Sequence, residues 1–248
     1  MFTSLLIRLL MSFDYPGKYR VFAVLRKRGI LDRSIRFSYG NPTYILPADK
    51  WAWWCSCNLS SMPTRQIQFV SGILGRFQKS FLFVDIGVDV GTYSLCLYRH
   101  IGKRLERVVA FEPNPRSFGY LRFNLSNLPI PTNFFNNAVT EKAGSYHFHF
   151  DKQRQSDHSG YLAAKSGNTV GVALDDMQFD VFFNQKYHVV IKIDAEGEEE
   201  EVIRGAVKRI QSGEVVILVV EILKNCLERK GRQPEDIFAA AEQIRKFD

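Results

Sequence analysis

Three short blocks concentrate the residues able to do chemistry. In Phe83-Val84-Asp85-Ile86-Gly87-Val88-Asp89-Val90-Gly91-Thr92-Tyr93 an acid closes an apolar run, and two glycines precede a helix-compatible stretch. Glycine in such a loop takes backbone angles closed to other residues and allows a ligand to approach closely. In Ala110-Phe111-Glu112-Pro113-Asn114-Pro115, Glu112 closes a second apolar run. A carboxylate in that place can accept both hydroxyls of a ribose, whichever nucleoside ligand carries it. In Ile191-Lys192-Ile193-Asp194-Ala195-Glu196-Gly197-Glu198-Glu199 an acid again ends an apolar run. Asp194 and Glu196 are candidates to orient an acceptor hydroxyl or take its proton. Glu198 and Glu200 read instead as acids favouring a helix N-terminus. Lys192 inside an apolar strand needs a partner, and Glu221, at the end of the neighbouring apolar run, is the expected one.

The elements that must carry these blocks alternate regularly. Apolar runs at Phe81–Ile86, Arg107–Phe111, Phe134–Thr140, Tyr187–Ile193 and Val215–Ile222 read as strands. Helix patterns fall at Tyr93–Ile101, Pro115–Asn127 and Glu198–Ile210. Asn114 is a plausible N-cap with Pro115 at the first helical position. Strands separated by helices imply right-handed βαβ units, hence an α/β fold with a mostly parallel sheet and helices on both faces. Such a sheet binds ligands at the carboxyl ends of its strands, where all three blocks lie. An insertion interrupts the alternation: Gly144–Phe150 and Thr169–Leu174 read as strands around a polar stretch, Asp151–Asn168, a candidate lid or acceptor-binding loop. Residues 1–80 form a separate appendage, with helical residues 1–30, a hairpin around Tyr39-Gly40-Asn41-Pro42, Trp51, Trp53 and Trp54 packing behind it, and a helix over 64–79. Residues 81–248 make up the main domain.

The loop chemistry separates two nucleoside ligands. A dinucleotide site wants G-x-G-x-x-G, so that a pyrophosphate rests on the helix N-terminus. Here the glycines are spaced G-x-x-x-G, and Asp85 and Asp89 flank the loop. Two carboxylates repel a pyrophosphate but suit a ligand carrying an ammonium and a sulfonium, which argues for S-adenosylmethionine over NAD.

Taken together and in order, the blocks resemble the FkbM-type methyltransferases. The acid-hydrophobic-glycine loop at Asp85–Gly91, Phe-Glu-Pro-Asn-Pro at Phe111–Pro115 and Asp-x-Glu-Gly-x-Glu at Asp194–Glu199 carry the resemblance. Asn137-Ala138-Val139 and Val172-Ala173-Leu174-Asp175-Asp176 match weaker family positions. The resemblance implies a Rossmann-like class I methyltransferase using S-adenosylmethionine, acting mostly on hydroxyl oxygens of sugars, glycans or natural products. By position it implies Asp85, Gly87 and Gly91 around the methionine part, Glu112 at the ribose and Asn137 near the adenine, with Asp89 and Asn114 also among the cofactor-binding residues. Asp89 stands where the family usually has Asn. The chain ends at Asp248, before the antiparallel strand pair that methyltransferases of this fold add, which leaves Val215–Ile222 as an apolar edge in need of cover. The N-terminal hairpin, a second subunit or further sequence could supply it. These two departures motivate a second reading, a cofactor-binding but catalytically inactive partner subunit.

Composition narrows the classes further. Of 248 residues, 46% are apolar, enough for one large core. The net charge of +7 concentrates in residues 1–40, where eight Lys/Arg face two Asp. Basic residues 8–36 are expected at most to touch an anionic membrane surface weakly, and no aromatic-interleaved nucleic-acid motif accompanies them. The Asn/Asp-Pro-Pro-Tyr/Phe block of amino-methylating enzymes is absent after the fourth core strand, so a nucleic-acid substrate is not expected. Cys55, Cys57, Cys96 and Cys226 make no zinc spacing, and His147, His149 and Asp151 lack further well-placed ligands, so no metal is expected. Leu5–Met11 is too short to span a bilayer and carries no cleavage signal, so a cytoplasmic chain, peripheral to a membrane at most, is expected. A homo-oligomer is compatible with all of this.

Overall fold

The computed structural model describes residues 9–10, 15–30, 35–38, 43–46, 64–150, 160–163, 167–177, 186–212 and 214–245. Helix α1 spans Lys18–Lys27, and strands β1 (Ile35–Ser38) and β2 (Thr43–Leu46) pair antiparallel, with Ile35 opposite Leu46. The turn between them and the tryptophans at 51, 53 and 54 lie outside the described residues. Then come α2 (Thr64–Leu74), β3 (Phe81–Ile86), α3 (Thr92–Ile101), β4 (Leu105–Phe111), α4 (Pro115–Leu125) and β5 (Thr132–Phe135). Four short strands follow: β6 (Ala138–Val139), β7 (Gly144–Phe150), β8 (Gly160–Ala163) and β9 (Thr169–Val172). The chain returns through β10 (His188–Ile193), α5 (Glu199–Arg204), α6 (Val207–Gln211), β11 (Val215–Val220), α7 (Lys224–Glu228) and α8 (Pro234–Ile244).

Five strands form an all-parallel sheet in the order β11-β10-β3-β4-β5. Because successive side chains on a strand point to opposite faces, the apolar runs feed two cores at once. Phe81 and Phe83 of β3 pack on one face against Ile67, Leu74, Leu97 and Leu121 from α2, α3 and α4. Leu82, Val84 and Ile86 pack on the other, against Val202, Ile203, Ile210, Leu227 and Ile237 from α5 to α8. Each fully buried side chain of this size contributes about 2–3 kcal/mol relative to exposure. This is the expected Rossmann-like α/β fold. Its order reverses between β3 and β10, and the crevice beyond their carboxyl ends is where such sheets bind ligands.

Several elements differ from the expectation. The run Phe134–Thr140 is not one strand. Its first part closes the main sheet as β5, and beyond Asn136-Asn137 the chain leaves for a second sheet ordered β6-β9-β7-β8. The polar stretch from Asp151 to Asn168 contains strand β8, paired antiparallel to β7 with His149 opposite Tyr161. The expected helix over Glu198–Ile210 is divided at Gly205, where a Cβ would stand 2.1 Å from the carbonyl oxygen of Thr140. Strand β11 is an outer strand among the described residues, with Arg245 Nη1 donating to the Val215 carbonyl at 3.0 Å. Among the described residues β2 lies beside α4, the connection between β4 and β5 at the opposite side of the sheet. No helix among the described residues is long and apolar enough to cross a membrane.

Candidate active site

The end of β3 places Asp85 fully inside the protein. Its Oδ2 accepts the Ser94 hydroxyl from the first turns of α3 at 2.6 Å, while Oδ1 is buried with no hydrogen-bond partner. Burial pushes the carboxyl above the ordinary aspartate range, against the pull of Lys192 and the Ser94 hydrogen bond. Close by, the hydroxyls of Thr92 and Tyr93 are also buried without partners. Four polar residues thus gather at the start of α3, three of them with hydrogen-bonding capacity still open.

Beyond Asp85 the loop folds tightly. Gly87 has φ +75°, and a Cβ there would lie 1.8 Å from the Asp194 carbonyl oxygen. The expected close approach at this glycine is therefore to another strand end of the same chain. Gly91 has φ +91° and precedes α3, packed against Leu125 and Leu121 of α4. Asp89 takes φ +54°, unusual for a residue with a side chain. Its N–H donates to Glu112 Oε2 at 2.7 Å, and its Oδ1 accepts the Ser117 hydroxyl at 3.0 Å.

Glu112, only 5% exposed, joins this loop to the next. Its Oε1 accepts the Asn114 N–H at 2.9 Å while Oε2 holds Asp89. The two oxygens thus tie the loop after β3 to the loop after β4. Asn114 is itself buried, and its Oδ1 accepts the Arg116 N–H at 3.0 Å as the N-cap of α4. Asn137 turns toward the second sheet, donating to the Val170 carbonyl at 3.2 Å. Its neighbour Asn136, which the sequence did not single out, donates to the Glu112 carbonyl at 2.7 Å. Side chains one residue apart point to opposite sides, and only the strand's final residues decide which asparagine faces the loop.

On the far side of Gly87, β10 brings Lys192 and Asp194 together at 3.0 Å. The expected partner Glu221 is instead a more distant charge, and Asp194 takes the ion pair. The ammonium of Lys192 is nearly buried and lies 5.2 Å from the centre of the Tyr93 ring. Burial works against its charge, but Asp194, Asp85 and Glu221 hold the lysine above its ordinary range. Glu196 takes φ +51°; with Asp89 it makes the pair of non-glycine residues at positive φ among the described residues. Its Oε2 accepts the Gly160 N–H from β8 at 3.2 Å, and its carbonyl accepts from Arg229 at 3.1 Å. Arg229 also covers Tyr161, whose other neighbour, His149, stacks at 5.2 Å. Glu196 thus ties the second sheet to the strand-end loops. Glu199 folds back on the Gly197 N–H with both oxygens, at 3.0 and 3.1 Å. Glu198 and Glu200 are in salt bridges with Lys230 and Arg232 respectively.

The site residues therefore form two groups on either side of Gly87: Asp89, Glu112, Asn114 and Asn136 on one, Asp85, Tyr93, Lys192, Asp194 and Glu221 on the other. Ser94, Ser117 and Asn136 gave no signal in the sequence, because each meets its partner only through tertiary contact. Among the described residues no cluster of three or more metal-ligating side chains occurs, and Cys96 and Cys226 are buried and in no disulfide.

The family model of the methyltransferase FkbM domain matches residues 85–246, from the buried aspartate of β3 to the end of α8. Among solved structures the chain is similar to methyltransferase FkbM from Methylobacillus flagellatus KT, with 19% identity and a TM-score of 0.44. That similarity covers 69% of this chain and 42% of the other, so this chain spans less than half of its length. No curated protein matches. With well over half of its length matched by the family model, strand-end acids included, this chain belongs to the FkbM methyltransferase family.

Proposed function

We propose that the chain transfers a methyl group from S-adenosylmethionine to a hydroxyl oxygen of a sugar, glycan or natural product. One observation carries the reading: the fully buried Asp85, with an unsatisfied carboxylate oxygen, at the point where the strand order reverses. An orphaned buried carboxylate oxygen costs free energy unless a donor arrives, and this one stands beside Lys192, Asp194 and Tyr93, where a ligand bearing an ammonium would meet net negative charge. Asp85 and the loop through Gly91 would hold the methionine end. Glu112, backed by Asn136, would hold the ribose.

When bound, S-adenosylmethionine supplies a methyl group on a sulfonium, a leaving group that needs no further activation. What the chain must add is position, since alignment of the two reactants is worth several kcal/mol of the barrier and base catalysis is secondary. Asp194, held by Lys192, keeps negative charge at the acceptor side. Glu196 fixes β8 there, and with it the ring series His147, His149 and Tyr161. In this reading the second sheet helps to select the acceptor.

Calorimetric titration with S-adenosylhomocysteine, with NAD run alongside, tests the reading. Saturable binding of the homocysteine compound alone is expected, weakened at least about tenfold in Glu112→Ala. Binding of NAD in its place, or no binding by a folded chain, would overturn it.

A further inference from the structure

Helix α1 has two sides of different chemistry. On the inner side Leu25, with Leu10 from just upstream, packs against the core beneath α2, α3 and α4, and Lys18 is buried. On the outer side Arg20, Val21, Val24, Lys27 and Arg28 are exposed. At 3.6 residues per turn these five positions share an arc of about 120°. Arg28 follows the last helical residue, and its N–H still donates to the Val24 carbonyl at 3.1 Å, so the arc continues through it. Residues 15–30 contain no Asp or Glu, so this stretch sets no carboxylate of its own against the three cations.

The valines between the cations belong to a wider pattern. Eight large apolar side chains are exposed among the described residues, and four of them, Leu9, Val21, Val24 and Ile30, fall in this stretch. The other four are dispersed along the remaining chain. Exposed apolar groups set among cations fit one surface in particular. An anionic lipid bilayer offers headgroup charge to Arg and Lys, and a hydrocarbon boundary to valine, within a few ångströms of depth. A nucleic acid would use the cations, but valine has no ring to stack on a base.

We propose that the outer arc of α1 rests on an anionic lipid bilayer, with Arg20, Lys27 and Arg28 at the headgroups and Val21 and Val24 at their boundary with the acyl chains. Because Leu10 and Leu25 fix the helix on the core, the arc is presented ready-made, and binding requires no folding of the helix. Three cations and two valines hold the chain at the surface reversibly, without inserting it.

Cosedimentation of the full chain with extruded vesicles tests this. Vesicles of phosphatidylcholine with about 30% phosphatidylserine are compared with phosphatidylcholine alone, in salt from about 0.05 M to about 0.5 M. Binding to the anionic vesicles is expected to be at least about tenfold the tighter, and to weaken as salt rises. Each cation at the surface is worth about fivefold in partitioning, so Arg20→Gln, Lys27→Gln and Arg28→Gln combined should lose about a hundredfold. Should the triple variant not fold, each single substitution is expected to lose about fivefold. Val21→Ser with Val24→Ser should weaken vesicle binding by about fivefold while leaving binding of a single-stranded oligonucleotide unchanged. Equal binding to both kinds of vesicle, or binding unaffected by the three charge substitutions, would overturn the proposal. Vesicle binding as indifferent to the valines as oligonucleotide binding would overturn it too, by making the arc a nucleic-acid surface.

Discussion

Gly87 and Asp194 lie so close that a Cβ on the glycine would stand 1.8 Å from the aspartate's carbonyl oxygen. The Asp194 N–H in turn donates to the Ile86 carbonyl at 2.9 Å. The glycine thus lets β3 and β10 meet at the point where the strand order reverses, which is what brings Asp85 and Asp194 into one electrostatic neighbourhood. Gly87→Ala adds a methyl against backbone, at φ +75°, where nothing flexible can move aside. We expect it to destabilise the chain by about 3 kcal/mol or more in urea unfolding. A loss below about 1 kcal/mol would mean that the two strand ends separate easily.

Asp89 holds a positive φ in the loop after β3. At φ +54° an asparagine is tolerated as well as an aspartate, and its oxygen can still accept the Ser117 hydroxyl. Asp89→Asn should therefore keep stability within about 0.5 kcal/mol. Asp89→Ala loses the hydrogen bond and the local tolerance of positive φ, and should cost about 1–2 kcal/mol. Equal stability of the two variants would show that neither effect operates.

Glu196 offers the same comparison in the third block. Glu196→Ala and Glu196→Gly both lose the hydrogen bond to Gly160, but only glycine relieves the φ of +51°. The glycine variant should be the more stable of the two by about 1 kcal/mol, read by urea unfolding. The reverse order would place the cost of this turn somewhere other than its backbone.

Asp85 supplies a pH dependence. Its folded-state carboxyl titrates above the ordinary value of 3.8, because burial favours the protonated form. A group shifted upward binds its proton more tightly in the folded chain, so its contribution is fully present below the unfolded value and is lost as pH rises through the folded one. Asp85→Asn cannot titrate. Its stability relative to the unaltered chain should therefore climb as pH is raised from about 4 toward neutrality. Urea midpoints taken over a pH series give the sign, and a flat or falling difference would show that Lys192 and Ser94 fully offset the burial of this carboxylate.

Much of the architecture is legible in the order of the residues alone. Continuous apolar runs of strand length separated by amphipathic stretches leave few folds open, and Asn114-Pro115 announces its helix by local chemistry. The strand-end acids Asp85, Glu112 and Asp194 stand out because strand ends are visible in one dimension. The breaks do not. Asn136-Asn137 sends the chain into a second sheet, and Gly205 divides a helix because Thr140 packs against it, a contact across 65 positions that no local pattern records.

What each acid does was decided by the tertiary structure. By itself the sequence determined which carboxylates stand at the ends of strands, since hydrophobic periodicity is a property of neighbours along the chain. Only folding set Lys192 on Asp194 in place of Glu221, turned Asn136 instead of Asn137 toward Glu112, and buried Asp85 with an oxygen unsatisfied. The physical reason is that a carboxylate's charge depends on burial and on groups a few ångströms away, and here those groups arrive from other strands.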